Sequence, residues 1–273
     1  MLCLLILLSI WGLLSYLYSL ITTNPWFLFL WIPLGFISTL ILFIAFIYLV
    51  IVPIFIHINP NSKFKIYYTR HLCKFLCLIC GGILKVEGEE NICPHKRVLV
   101  VSNHKSKADP FFIYIALKKG CTVAGKADLW RVKLLLPIIK AFHAIKIDRS
   151  SDRESAKSII EGIKIMKNDE SVIIFPEGGI KSREVEQMVS LKAGAYKLAT
   201  KSDAYIQPIA IIGTSQLSKR KFYQFFKITV RILPYISPEE YKDLSTQEIG
   251  HKVIDMVNAN FIHEKEQNIS VEE

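Results

Sequence analysis

The first 62 residues of this 273-residue chain contain no Asp, Glu, Lys or Arg. All 34 basic and all 24 acidic side chains therefore lie between Lys63 and the C-terminus. With 51% hydrophobic residues overall, the composition excludes an intrinsically disordered protein. It indicates a membrane segment at 1–62, followed by a basic globular domain long enough for one sizeable core.

The chain also lacks a dense or regular set of cysteines. Its six cysteines are scattered through apolar stretches, which excludes a secreted disulfide framework and indicates reduced thiols in a cytosolic compartment. Three of them, Cys73, Cys77 and Cys80, recur at helical spacing in an apolar stretch, where cysteine packs as a small hydrophobe. We therefore predict no metal site there. The absence of a GxSxG sequence argues against a serine hydrolase.

Two uncharged runs, 1–22 and 26–56, make up the apolar segment. Each is long enough for a membrane helix, which needs about 20 residues, so we predict a two-helix hairpin that spans the membrane or dips into one leaflet. The basic residues from Lys63 to Lys74 place the globular domain on the cytoplasmic face of the cell membrane. The next stretch, 71–84, predicts a helix that lies either at the membrane interface or in the protein core.

After Gly82, short β-branched runs alternate with longer amphipathic stretches. This alternation predicts an α/β domain over 63–263, with a mostly parallel sheet flanked by helices, and a frayed acidic tail at 264–273. Polar sites in such a fold gather at the carboxyl ends of the strands. The predicted strands are 83–87, 98–102, 122–125, 145–147, 172–175, 206–211 and 228–233. The predicted helices are 110–119, 129–142, 153–167, 191–200 and 238–263.

A polar loop after the second predicted strand contains His104 and Asp109. On one helix these side chains would point about 140° apart, so they can meet only through a loop. Asp109 before Pro110 has the form of an N-cap and a first-turn proline, which aims the carboxylate back at the loop. A histidine held by a carboxylate can serve as a general base. The alternative is that Asp109 only caps its helix and His104 is a solvated loop residue.

The fifth predicted strand runs into a tight turn of Glu177, Gly178 and Gly179. The glycines allow backbone amides to approach an anion, and Lys181 and Arg183 add donors for phosphate. The net charge of +10 also favours an anionic partner, such as a phospholipid headgroup.

Four stretches in order resemble the motifs of the glycerolipid acyltransferase family. Asn103-His104-Lys-Ser-Lys-Ala-Asp109 is similar to its NHxxxxD motif, and Phe175-Pro176-Glu177-Gly178 to its FPEG motif. Gly125-Lys126 together with Ile147-Asp148-Arg149 resembles the intervening motif, and Ile206-Gln207-Pro208-Ile209 the final apolar block. The spacing also agrees with the family.

The resemblance covers residues 86–212, and the sequence departs from the family pattern directly after the FPEG motif. The family usually continues FPEG with Thr-Arg-Ser, whereas this chain has Gly179-Ile180-Lys181. The arginine expected to hold the substrate phosphate is therefore missing, and Lys181 or Arg183 is expected to replace it. A lysine supplies a point charge without the bidentate fork of arginine. The resemblance therefore implies the headgroup of the substrate less directly than it implies acyl transfer.

The resemblance implies transfer of a fatty acyl group from acyl-CoA or acyl carrier protein to the sn-2 hydroxyl of 1-acylglycerol 3-phosphate, which gives phosphatidic acid in phospholipid biosynthesis. His104 would be the general base, Asp109 would orient it, and Glu177 would order the glycerol or the loop. The thioester is a co-substrate, and neither a cofactor nor a metal is expected. The residues assigned to substrate binding are Asn103, Lys126, Arg149, Gly178, Gly179, Lys181 and Arg183.

Two other functions stay open from the sequence. The same chemistry could act on glycerol 3-phosphate or another lysophospholipid, or the chain could be a non-catalytic, membrane-tethered domain that binds anionic lipid. The expected partners are membrane phospholipid, lysophosphatidic acid and the acyl donor. Nucleic acid is not expected, because aromatic and basic residues do not interleave on a recognisable module.

Overall fold

The computed structural model describes residues 2–21, 25–148, 150–221 and 224–269. The chain divides into two compact units, Met1–His57 and Ile58–Glu273. This division lies five residues before the boundary predicted at position 62.

The N-terminal unit consists of apolar helices. Helix α1 spans Leu2–Ser19, and α2 spans Leu28–Phe46 and continues through a π-helical turn at Ile47–Ile51 into α3, Val52–His57. The π turn ends two residues before Pro53, whose ring nitrogen cannot donate to the carbonyl four residues back.

Helices α1 and α2 pack closely against each other. A Cβ at Gly35 would lie 2.3 Å from the Oγ of Ser15, so only glycine fits at this crossing. The indole of Trp11 donates a 2.9 Å hydrogen bond to the carbonyl of Ile32. This bond gives the Trp11 N–H a partner within an otherwise apolar pair of helices.

One helix among the described residues, Phe29–His57, is long and apolar enough to cross a membrane. The first run forms the apolar helix α1, Leu2–Ser19, of 18 residues. Its role as a second membrane helix stays a prediction, because the stretch found within the described residues is the shorter Leu5–Ser19.

The second unit begins with α4, Lys63–Ile79, and not with the helix predicted at 71–84. Gly81 adopts a φ of +75°, which is accessible to glycine and ends the helix, and the first strand starts at the next residue. Helix α4 buries Thr69 and Cys73, whereas Phe64 and Tyr67 on it are exposed. It therefore has both a core face and an exposed aromatic surface.

The described residues contain seven strands, which form one sheet in the order β1-β7-β6-β2-β5-β3-β4. Every neighbouring pair is parallel except β6 and β7, which are antiparallel. The predicted α/β fold with a mostly parallel sheet is confirmed. The strands are β1 Gly82–Glu87, β2 Val98–Ser102, β3 Cys121–Lys126, β4 Ile145–Ile147, β5 Ser171–Ile174, β6 Tyr205–Ile212 and β7 Phe226–Ile232.

Several helices of this unit are shorter than predicted. Pro137 lies in the first turn of its helix, because proline has no N–H to donate from a helix interior. The helix predicted at 238–263 is two helices, since Ser245 and Glu248 form a capping box that starts a new helix. The helices are α5 Asp109–Leu117, α6 Leu136–Ala141, α7 Asp152–Lys167, α8 Lys197–Thr200, α9 Pro238–Tyr241 and α10 Thr246–Ile269. The last extends six residues beyond its predicted end, and 270–273 lie outside the described residues.

The sheet is buried on both faces. Alternate residues of β2 point to opposite sides, so Leu99 and Val101 join a core with residues of α10, whereas Val98 and Val100 join a core with residues of α5. Polar chemistry is therefore confined to the ends of the strands.

Candidate active site at the carboxyl edge of the sheet

Two neighbouring parallel strands bring the predicted catalytic loops together. In the register of β2 and β5, Val101 pairs with Ile174, so both strands end at the same edge of the sheet. The loop with His104 follows β2, and the turn with Glu177 follows β5.

His104 and Asp109 form a hydrogen-bonded pair. The Nδ1 atom of His104 lies 2.9 Å from Oδ2 of Asp109. The aspartate side chain is fully buried, whereas 18% of the histidine side chain is exposed. The ring also stacks on Phe175, with centroids 4.1 Å apart. Because Asp109 engages Nδ1, the other ring nitrogen, Nε2, is the one suited to take a proton from a substrate.

Asp109 also orders the loop that carries its partner. Its Oδ2 accepts 2.8 Å hydrogen bonds from the backbone N–H groups of Lys105 and Ser106. Asp109 is the first residue of α5 and Ala108 is the N-cap, so the predicted N-cap position is one residue out. The carboxylate still turns back on the loop, as expected.

Glu177 lies behind the same loop and is fully buried. Its Oε1 accepts a 2.9 Å hydrogen bond from the backbone N–H of His104. Its Oε2 accepts from Lys105 Nζ at 3.0 Å and from Val189 N at 3.3 Å. Of the two roles predicted for Glu177, these contacts match the ordering of the loop.

Lys105 was not predicted as a site residue from the sequence, yet it contacts Asp109, Glu177 and Arg183. Its backbone N–H donates to Asp109, its ammonium group to Glu177, and its carbonyl accepts a 3.2 Å bond from Nε of Arg183. Both side chains of the Lys105–Glu177 ion pair have no exposed surface. In the sequence a lysine between polar residues resembles a solvated one, so only the tertiary structure identifies it.

Asn103 was predicted to bind substrate, but it is fully buried and bonded to protein. Its Nδ2 donates to the carbonyls of Glu186 at 2.9 Å and Ile211 at 2.7 Å. Its Oδ1 accepts a 2.8 Å bond from the N–H of Ile211. The assignment is therefore corrected: Asn103 ties the end of β2 to β6 and positions the residue that follows it.

Replacing Asn103 by alanine is expected to lower the free energy of unfolding by about 1–3 kcal/mol, because it leaves buried backbone groups of β6 and the 186 loop without partners. Thermal melting of the full chain in detergent would measure the loss. Asn168, which is exposed, provides a matched control whose alanine variant should melt like the wild type. Equal melting of both variants would contradict the structural role of Asn103.

In and after the FPEG motif, Gly178 belongs to the tight turn, whereas Lys181 and Arg183 lie at the surface. Gly178 has a φ of 79° and its N–H donates a 3.0 Å bond to the carbonyl of Phe175, so this amide is used by the turn. Gly179 has a φ of 139°, and open space surrounds the position of a Cβ there. Lys181 and Arg183 are exposed, and Arg183 contacts the catalytic loop through Lys105.

Another predicted phosphate ligand, Lys126, is not brought to this point. Lys126 ends β3, is 75% exposed and forms an ion pair with Asp128. Strand β5 separates β3 from β2. Arg149 lies outside the described residues.

A further carboxyl group, partly buried and missed in the sequence, lies next to the site. Oε1 of Glu186 accepts hydrogen bonds from Gly213 N at 2.9 Å and from Ser215 Oγ at 2.6 Å. Burial raises the pKa of Glu186, and the nearby charge of Asp109 adds to this rise. Glu186 thus fastens the segment after β6 to the catalytic loops.

Within 2–21, 25–148, 150–221 and 224–269, no three His, Cys, Asp or Glu side chains are grouped to hold a metal ion. Cys73 and Cys121 are free thiols, and burial raises the pKa of each to about 12.

Comparison with known proteins agrees with this geometry. Residues 83–212 match the family model described as Acyltransferase. The chain is 31% identical over 183 residues to a 1-acyl-sn-glycerol-3-phosphate acyltransferase from Saccharomyces cerevisiae, which covers 66% of this chain and 60% of the yeast protein. It is 28% identical over 208 residues to a probable 1-acyl-sn-glycerol-3-phosphate acyltransferase from Mycoplasma pneumoniae, covering 71% of this chain and 76% of that protein.

A solved structure shares the fold. The 1-acyl-sn-glycerophosphate (LPA) acyltransferase PlsC from Thermotoga maritima superimposes with a TM-score of 0.66 at 22% identity, over 82% of this chain and 92% of that chain. Residues 83–212, which the family model matches, contain the loops of His104 and Glu177 and the strands that precede them. Residues 83–212 of the α/β domain therefore match the acyltransferase family.

Proposed function

We propose that this protein transfers a fatty acyl group from a thioester, acyl-CoA or acyl carrier protein, to the sn-2 hydroxyl of 1-acylglycerol 3-phosphate, giving phosphatidic acid for phospholipid synthesis. The observation that carries the proposal is the His104–Asp109 hydrogen bond at the edge where both family motifs meet. The curated names of the yeast and Mycoplasma relatives support the choice of acceptor.

The proposed reaction is a direct displacement. Nε2 of His104 takes the proton from the acceptor hydroxyl as its oxygen attacks the thioester carbonyl carbon. The tetrahedral intermediate then collapses, the C–S bond breaks, and the thiolate leaves with the proton returned by the imidazolium. No acyl-enzyme forms. Since the thioester is already activated, the reaction needs no further cofactor.

The protein's main contribution is the placement of the two substrates. Holding two reactants in a reactive geometry is worth about 7–11 kcal/mol, whereas general-base assistance contributes about 10²- to 10⁴-fold in rate. Asp109 fixes the ring of His104, and Glu177 and Lys105 fix the loop backbone. The site is thus preorganised before either substrate binds.

We also propose that the catalytic domain faces the cytoplasm at a cell membrane. The apolar helix Phe29–His57 supports membrane association, and the basic residues that follow it favour the cytoplasmic side. A soluble thioester donor and a lipid acceptor could then meet at the membrane surface.

An acceptor competition tests the proposed function. Full-length protein in detergent micelles would receive labelled acyl-CoA or acyl carrier protein with equal amounts of 1-acylglycerol 3-phosphate, glycerol 3-phosphate and lysophosphatidylcholine. We expect phosphatidic acid as the main product. Main acylation of either other acceptor would overturn the assigned substrate, and lipid binding without any transfer would favour a non-catalytic lipid-binding domain.

A further inference from the structure

A basic cleft lies beside the catalytic loop and is built partly by a residue outside the family match. Its volume is about 470 Å³, and it is lined by Lys181, Arg183 and Lys219 with Ser182, Ser218, Glu184 and Ile180. Lys219 belongs to the connection between β6 and β7, beyond the matched residues 83–212. The cleft therefore joins the loop after β5 to the connection after β6.

The cleft has the charge of a phosphate monoester site. Three cationic side chains against one carboxylate, Glu184, leave a formal charge of +2 among the lining residues. A phosphate monoester carries about −1.5 to −2 near pH 7, whereas a phosphodiester carries only one negative charge. Within the described residues, the ammonium groups of Lys181 and Lys219 have no hydrogen-bond or ion-pair partner, so both can bind a ligand.

The cleft lies next to the loop that carries His104. Nε of Arg183 donates to the carbonyl of Lys105, the residue that follows His104. Only a few bonds separate the sn-2 oxygen from the phosphorus in 1-acylglycerol 3-phosphate, so its phosphate must bind close to the general base. Lys126 is less suitable, because it is paired with Asp128 at the end of β3.

We infer that this cleft binds the phosphate of the acceptor and that Lys219 supplies the charge of the arginine missing after FPEG. The inference rests on the proposed function and deepens it: the acceptor is selected as a phosphate monoester. Lys219 acts in substrate binding and takes no part in the chemical step. Arg183 links the bound phosphate to the catalytic loop.

The test compares Lys219→Gln, Lys219→Arg and the control Lys201→Gln in the full-length protein. Lys201 is an exposed lysine before the amino end of β6, at the opposite edge of the sheet. Removing one charged contact to phosphate should raise the KM for 1-acylglycerol 3-phosphate about tenfold with kcat within about twofold. Lys219→Arg and Lys201→Gln should both stay near the wild-type KM.

Two further measurements identify what the cleft binds. With uncharged 1-acylglycerol as acceptor, Lys219→Gln should match the wild type, and inorganic phosphate should compete with the acceptor less strongly in this variant. An unchanged acceptor KM, or a rise in the KM of acyl-CoA or acyl carrier protein instead, would overturn the inference. Failure of the wild type to acylate 1-acylglycerol 3-phosphate would overturn the proposed function itself.

Discussion

Replacing His104 by alanine is expected to lower kcat by about 10²- to 10⁴-fold, the range for a lost general base. The side chain is partly exposed, and its ring contacts Phe175 and Asp109 at the surface of the site. Its removal should therefore leave the fold and lipid binding largely intact. Initial rates of acyl transfer to 1-acylglycerol 3-phosphate, with lipid binding measured on the same preparation, would check this.

The controls for this prediction separate chemistry from charge and folding. His251, an exposed histidine on α10, should tolerate alanine with a rate within about twofold of the wild type. Asp109→Asn should also lower kcat, because the pair that holds the His104 ring in one tautomer is weakened. If His104→Ala keeps more than a tenth of the wild-type kcat, His104 is not the base.

Replacing Lys105 by methionine is expected to lower the free energy of unfolding by about 3–5 kcal/mol, because it leaves the carboxylate of Glu177 buried without its cation. Neither side chain of this pair has any exposed surface, so water cannot take the place of the ammonium group. The catalytic loop should lose its order with the ion pair, since Glu177 also holds the N–H of His104. Denaturant unfolding of the full chain would measure the change.

A neighbouring lysine and a double variant keep this prediction specific. Lys107 lies in the same loop and is exposed, so Lys107→Met should change stability by less than about 0.5 kcal/mol. The double variant Lys105→Met, Glu177→Gln should regain part of the loss, because the uncompensated charge is gone. Equal stability of the two single lysine variants would show that the buried pair contributes nothing.

The sequence predicted the strands well because their cause is local. Val98–Ser102 in β2 and Ile145–Ile147 in β4 have the predicted bounds, since both are short β-branched runs between polar breaks. Helix ends were less accurate. Gly81 ends α4, and the capping box of Ser245 starts α10. Both depend on backbone geometry that the composition does not reveal.

The meeting of His104 and Asp109 could be anticipated because the loop between them is short and Pro110 fixes where the helix starts. The roles of Asn103 and Lys105 could not. Both depend on partners more than 70 positions away in the sequence, such as Glu177, and nothing nearby in the chain indicates burial. The antiparallel direction of β7 could not be predicted from the residue pattern of the strand, because register and direction are set by tertiary pairing.

That reversal of β7 has an evolutionary consequence. Because β7 runs against β6, the connection between them leaves and re-enters the sheet at one edge, the same edge where the base lies. The length and composition of this connection can change without shifting any strand. On the proposed function, we therefore expect acceptor preference to change more readily among relatives of this fold than the geometry of the His104–Asp109 pair.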